Sequence, residues 1–285
     1  VAKVFLETAQ GKITGYEIKD TVKLLSVASY LGIETDGKDI KKIAEEVGKV
    51  CLEEFGKNEG EILFTRRAPE PRQKLWREKG VMPRSVDREI VEIMHRTHIG
   101  VDQDYKNILM HGARAALADG WGGSMIATEL QDILFKTPIP LKSEVNLGVL
   151  KEDEVNLVVH GHEPVLSEMI VYVANTEEMQ NLAKEKGAKG INLAGICCTA
   201  NEILMRHGIP IAGNFLQQEV AIMTGAVDAM VVDVQCIMQG LSSLTSCFHT
   251  KLITTSPKGK IPGATHIAVS YTHLRAHETE ADLVC

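Results

Sequence analysis

Apolar positions in the first 138 residues recur at helical spacing. Ile18, Val22, Leu25, Ala28 and Leu31 form one stripe, predicting a helix over 17–31. Ile40, Ile43, Ala44, Val47, Leu52 and Phe55 form another, predicting a helix over 39–55. Gly32 and Gly56 stand where helix stops belong. A polar stretch with Arg66, Arg67, Pro69 and Pro71 follows, with a short strand expected at 62–65 and a solvated face over RRAPEPRQKLWREK. Ser85 is placed to cap a helix reaching about Thr97, and Asp87 and Glu89 in its first turn suit the helix dipole. Two further helices fit 104–118 and 124–135, and Pro138 and Pro140 close this half.

From about Leu141 the pattern changes. Continuous apolar runs at 155–159, 191–196, 229–234 and 251–255, with a short one at 210–212, read as buried strands. Helical segments at 164–186, 199–207, 215–223 and near 241–248 lie between them. Apolar strands alternating with helices predict a parallel sheet covered on both faces. The fold class is therefore α/β: an N-terminal helical domain (1–138), then a Rossmann-like parallel α/β domain (139–267). The last stretch, 268–285, shows neither period.

Composition narrows the function. With 285 residues the chain can bury a real core, and 44% hydrophobic with 24% charged residues is ordinary for a globular protein. A net charge of −7 lacks the basic excess that nucleic-acid binding draws on. No run of about 18 apolar residues is present to span a membrane, and no secretory signal precedes the first helix. The six cysteines are scattered rather than densely spaced, which points to a reducing, cytoplasmic setting and to metal-binding or nucleophilic roles. The chain opens on Val1 rather than Met, so an earlier start is expected.

Three soft ligands fall where strands end. VNLVVHGH places His160 and His162 past the first strand, GINLAGICC places Cys197 and Cys198 past the second, and VVDVQC places Cys236 past another. Carboxyl ends of parallel strands face one crevice, so His162, Cys198 and Cys236 can converge. Thiolate and imidazole together suit iron–sulfur clusters, zinc or copper. The plainer alternative is that each cysteine is a small buried hydrophobe and each histidine a loop residue. That alternative is preferred for Cys51 and Cys247, expected to fill cores, and for His95 and His98, expected to serve packing or surface. Neither GxGxxG nor GxxxxGK[ST] occurs, so these loops are not expected to hold a dinucleotide or ATP.

HGHEPVLSEMIV, GINLAGICCTANEILMRHGIP and TGAVDAMVVDVQCI, in that order, resemble the central part of the anaerobic, nickel-containing carbon monoxide dehydrogenase catalytic subunit. EIMHRTHIGVDQD, ILFKTPIP and NLGVL match as well, so the resemblance covers about 1–267. GICCTANE followed by VDVQC is close to diagnostic. The resemblance implies a nickel–iron–sulfur cluster that interconverts CO and water with CO2, two protons and two electrons. By motif, His162 and Cys198 would hold the iron outside the cubane and Cys236 an iron of the cubane, with Cys197 a neighbour. Asp119 falls where the family has a carboxylate that hydrogen-bonds the ligand histidine, fixing its tautomer. A homodimer and a redox partner such as ferredoxin are implied too, while the sequence leaves open whether the parent works alone or in a complex with acetyl-CoA synthase.

The departures set further expectations. The family's region with other 4Fe-4S clusters and a histidine-rich proton path should precede Val1. Its second Rossmann-like domain, with three more cluster cysteines and a catalytic lysine, should follow. No catalytic residue is therefore assigned within this chain, which is expected to be a fragment inactive alone. SYTHLRAHETEADLVC does not match the family pattern and reads as an artefactual tail, leaving His273, His277 and Cys285 without function. Alternatives are a hydroxylamine reductase of the hybrid-cluster type, a metal-free α/β binding module, and a Cys198–His162 nucleophilic enzyme.

Overall fold

In the computed structural model of the protein, which describes residues 1–13 and 15–268, the chain divides after Thr137 into two units. The tail expectation falls, apart from residue 268, outside the described residues, as do His273, His277 and Cys285.

The first unit is helical: α1 (Ala2–Ala9), α2 (Thr21–Leu31), α3 (Ile40–Gly56), α4 (Glu70–Glu78), α5 (Val86–Arg96), α6 (Tyr105–Ala118) and α7 (Met125–Phe135). Helix α2 starts four residues later than its apolar stripe suggests. The Lys19 and Asp20 N–H groups donate to the Ile133 carbonyl, and the Asp20 carboxylate caps the helix by accepting from Lys23 N at 2.8 Å. The strand expected at 62–65 is instead a 3-10 turn, Leu63–Arg67. Buried Glu54 accepts the Leu63 N–H at 2.6 Å, and Thr65 Oγ1 donates to the Ile62 carbonyl, so the segment turns rather than pairs. In the solvated RRAPEPRQKLWREK stretch, Trp76 is buried and packs edge-on against Trp121. Ser85 occupies the cap position of α5, but its hydroxyl makes no capping bond. Glu89 reaches back to the Arg84 N–H instead.

That glutamate heads an ion network absent from the sequence reading. Arg84 grips Glu89 through Nε and Nη2, each at 2.8 Å, and reaches Glu92 at 2.5 Å. Arg96 pairs with Glu92 and Asp102, Arg114 lies 3.8 Å from Glu89, and His111 Nε2 lies 3.2 Å from Glu89. Glu89, Glu92 and His111 each bring a ligand atom within 4.8 Å of the others, a spacing that suits a cation. With Arg88 4.0 Å from Glu92, four guanidinium groups face the three carboxylates, so the positive charge a cation would bring is already supplied and the group is an ion network joining α5 to α6.

Among its described residues the second unit holds six parallel strands: β1 (Val155–Gly161), β2 (Ile191–Ile196), β3 (Ile211–Gly213), β4 (Ala229–Val232), β5 (Lys251–Thr254) and β6 (Thr265–His266). Their order is β3-β2-β1-β4-β5-β6, the doubly wound arrangement with its switch point between β1 and β4. Near-continuous burial along β1 and β2 fits strands covered on both faces. Val158, Ala194, Met230 and Val232 are fully buried in the sheet's main core, and each larger side chain there contributes about 1.5–3 kcal/mol.

The helices are α8 (Pro164–Ala174), α9 (Glu177–Glu185), α10 (Cys197–His207), α11 (Gln218–Met223) and α12 (Leu241–Thr245). The single helix expected over 164–186 is thus two. Asn175 folds back onto the Val171 carbonyl, and Thr176 caps a new helix by accepting from Met179 N. Likewise 215–223 opens as a 3-10 turn, Phe215–Gln217, capped by Asn214. His160, expected past the first strand, is its buried penultimate residue. Cys51 is buried as expected; Cys247, expected in a core, is exposed because α12 ends before it. No helix of the described residues is long and apolar enough to cross a membrane.

Candidate metal centre at the strand ends

Each predicted ligand lies on a turn that leaves the carboxyl end of a strand. His162 follows β1, Cys197 and Cys198 open α10 straight after β2, and Cys236 lies four residues beyond β4. β1 and β4 flank the switch point, where open α/β sheets bind their ligands. The backbone there is unusual. Cys197, Gln235 and Cys236 have φ of 66°, 65° and 59°, left-handed values uncommon for residues with a Cβ. Such conformations cost about 1–3 kcal/mol each and gather at functional sites. Helix α10 lies directly on its strand: a Cβ on Gly195 would stand 2.6 Å from the Ala200 Cα, so the first turn, with both cysteines, is pinned to the sheet.

Cys197, Cys198 and Cys236 line one open cleft of about 680 Å³, together with Asn201, Asn214 and Gln217. Cys198 and Cys236 are exposed to it, and Cys197 is half-buried with its thiol in hydrogen-bonding reach of Cys236. His162 is exposed on the neighbouring turn and is not among the residues lining that cleft. Asp119 belongs to the first unit, in the π-helical turn Asp119–Ser124 that links α6 to α7. Such turns are often found at functional positions.

The surroundings favour the neutral thiols of Cys197 and Cys198. Burial and the neighbouring Cys236 and Cys198 sulfurs push the Cys197 thiol up to about 12. Burial raises Cys198 as well, helped by Cys236, Glu202 and Asp233. An activated cysteine nucleophile needs the opposite shift, toward thiolate at neutral pH, so the Cys198–His162 nucleophile alternative finds no support. Several electron-rich groups that penalise one another's negative charge are what a metal cluster relieves on binding. The donor set and its placement fit an iron–sulfur cluster.

Two residues that the sequence reading passed over hold these turns. Asp233, buried directly after β4, accepts from His162 N at 2.6 Å, from Glu163 N at 3.0 Å and from its neighbour Val234 N. Burial raises its carboxyl above the usual value, and these three N–H groups oppose that. Gln218 on α11 bridges the other side. Its Oε1 meets His160 Nε2 at 3.1 Å and accepts from Met238 N, while its Nε2 donates to the Cys236 carbonyl. Burial lowers the pKa of His160, which keeps that imidazole neutral near pH 7. A polar residue ending a buried apolar run was the available signal for Asp233; Gln218, within an amphipathic helix, offered none.

Comparison with known proteins agrees with the motifs. The profile of the Prismane/CO dehydrogenase family matches residues 1–283, beyond the 1–267 on which the motifs were read. The chain is 60% identical over 280 residues to carbon monoxide dehydrogenase 1 of Methanosarcina mazei, covering 98% of this chain and 44% of the relative. It is 48% identical over 270 residues to the carbon monoxide dehydrogenase/acetyl-CoA synthase subunit beta of Moorella thermoacetica, covering 94% of this chain and 40% of that one. A nickel-free crystal structure of carbon monoxide dehydrogenase from Thermococcus sp. AM4 matches with a TM-score of 0.93 and 55% identity, over 96% of this chain and 43% of its own. The chain thus spans less than half the length of these relatives, and their names disfavour the hydroxylamine-reductase alternative. The chain belongs to the Prismane/CO dehydrogenase family.

Proposed function

We propose that this chain contributes His162, Cys198 and Cys236 to the nickel–iron–sulfur centre of an anaerobic carbon monoxide dehydrogenase. The observation that carries this reading is the placement of all three ligand-bearing turns at carboxyl strand ends around one switch point, with the thiols lining a single cleft. When bound, such a centre supplies Lewis acidity toward water and a carbon oxide, and a place for two electrons.

The chain's own residues supply the holding chemistry. Cys198 and Cys236 give up their protons on binding, which makes uptake pH-dependent. His162 binds as the neutral imidazole. Asp119 is read as the carboxylate that orients it, and Cys197, with its raised pKa, stays a protonated neighbour. The wider reading takes CO, CO2 and water as substrates, a small redox protein such as ferredoxin as electron partner, a homodimer as the assembly and the cytoplasm as the compartment. Similarity to the Moorella subunit supports association with an acetyl-CoA synthase.

Anaerobic reconstitution of the chain with iron, sulfide and nickel, followed by metal analysis, tests the reading. Protein-bound iron is expected to fall sharply in Cys198→Ala and Cys236→Ala while the fold persists. Iron that is absent from the parent, or unchanged in both variants, would leave the metal-free binding module as the better account.

A further inference from the structure

The Asp233 carboxylate accepts hydrogen bonds from more than one ligand-bearing turn. Its Oδ1 accepts from the His162 N–H at 2.6 Å and from Val234 N on the way to Cys236. Its Oδ2 accepts from Glu163 N at 3.0 Å and lies 3.5 Å from the hydroxyl of Thr199, the residue after Cys198. Its own N–H donates to the His160 carbonyl, continuing the β1–β4 ladder. The site is built around this group. Asp233 is 2% exposed, and Gly161 leaves the space it needs, since a Cβ there would stand 1.9 Å from Oδ1.

A buried carboxylate that only closed a turn would need one or two local donors. This one takes donors from β4's own exit and from β1's exit, two elements 70 residues apart in sequence that meet only through the fold. Both oxygens are used, so an amide cannot replace it. Asparagine keeps one acceptor and turns its NH2 group toward the Glu163 N–H or the His162 N–H.

We propose that Asp233 is a positioning residue for the metal centre, holding the His162 turn in register with the Cys198 and Cys236 turns through its bonds to the His162 and Glu163 amides. The proposal rests on the cluster reading above. Outer groups that orient metal ligands typically matter by about 10–100-fold in metal affinity. Asp233 acts here through backbone rather than through the imidazole, so its effect passes through His162 and should vanish when that ligand is removed.

The test uses the 285-residue chain under anaerobic conditions with two readouts. In the metal-free chain, hydrogen exchange of the His162 and Glu163 amides is measured first. Protection of both supports the proposal, and exchange at the rate of free amides overturns it without any variant being needed. Iron retention against a competing chelator is then compared in the parent, Asp233→Asn, His162→Ala and the double variant. The expected result is iron retention about 10–100-fold weaker in Asp233→Asn, with no further loss when that change is added to His162→Ala. Parent-like retention in Asp233→Asn overturns the proposal, as does an equal further loss in the His162→Ala background, which would mark a general structural role. Protected amides in a parent that holds no iron would count against the cluster reading itself, so the two failures are told apart.

Discussion

Gly161→Ala offers a sharp test of how the strand-end site is assembled. Gly161 has φ +137°, a conformation that L residues with a Cβ rarely adopt, and an added Cβ would stand 1.9 Å from the Asp233 carboxylate. Two costs follow. The backbone strain is about 1–3 kcal/mol. Displacing Asp233 loosens its bonds to the His162 and Glu163 amides, and hydrogen bonds to charged groups contribute about 1.5–3 kcal/mol each. With partial relaxation, a total of about 3–5 kcal/mol is expected, a large share of a typical domain stability of about 5–15 kcal/mol. Gly208→Ala is the control. Gly208 ends α10 at φ +70° with nothing within 4 Å of an added Cβ, so it should cost only about 1–2 kcal/mol. The probe matters, because Trp76 and Trp121 both lie in the first unit, and indole fluorescence does not follow the second. Urea-dependent hydrogen exchange of β1 and β4 amides reads the right unit. Equal destabilisation by the two substitutions would refute the claim that the Asp233 carboxylate fills the space over Gly161.

Arg84→Met leaves fully buried Glu89 without its bidentate partner, and should destabilise the first unit by about 3–5 kcal/mol in urea titrations followed by tryptophan fluorescence; a loss below about 1 kcal/mol would show that Arg114 and His111 suffice. Burial raises the Asp20 carboxyl, but bonds from Lys23 and Thr137 outweigh it and hold it below its usual value. Its contribution is therefore present above the unfolded pKa and lost as pH falls through the folded one. Asp20→Asn should lower the melting temperature at pH 7 and converge on the parent in strong acid, whereas a pH-independent difference would assign Asp20 no ionic role. In the metal-free chain at pH 8, iodoacetamide should modify exposed Cys247 well before buried Cys51, whose thiol burial pushes up, and before Cys197. Mass spectrometry of labelled peptides checks the order.

Much of the architecture was legible because burial leaves a period in the sequence. The strand at 191–196 matches β2 residue for residue, since both its faces are covered and the apolar run is unbroken. Boundaries set by polar side chains were not legible. Helix α2 starts only at Thr21 because a carbonyl at Ile133 takes the Lys19 and Asp20 N–H groups, and nothing local announces that distant acceptor. The strand expected at 62–65 failed for the same reason: Glu54, nine residues upstream, takes the Leu63 N–H. Within the site, the cysteines and histidine were visible as residue types placed after strands. Asp233 and Gln218 do their work through backbone atoms of residues 18 to 71 positions away, a relation that only the folded sheet brings about.

The central claim is that His162, Cys198 and Cys236 bind one iron-containing centre. The most direct measurement is iron K-edge X-ray absorption on the anaerobically reconstituted chain and its His162→Ala variant. The account predicts a sulfur shell in both and an imidazole contribution, with its outer-ring scattering, in the parent alone. Identical spectra from the two proteins would contradict it, as would an iron environment without sulfur.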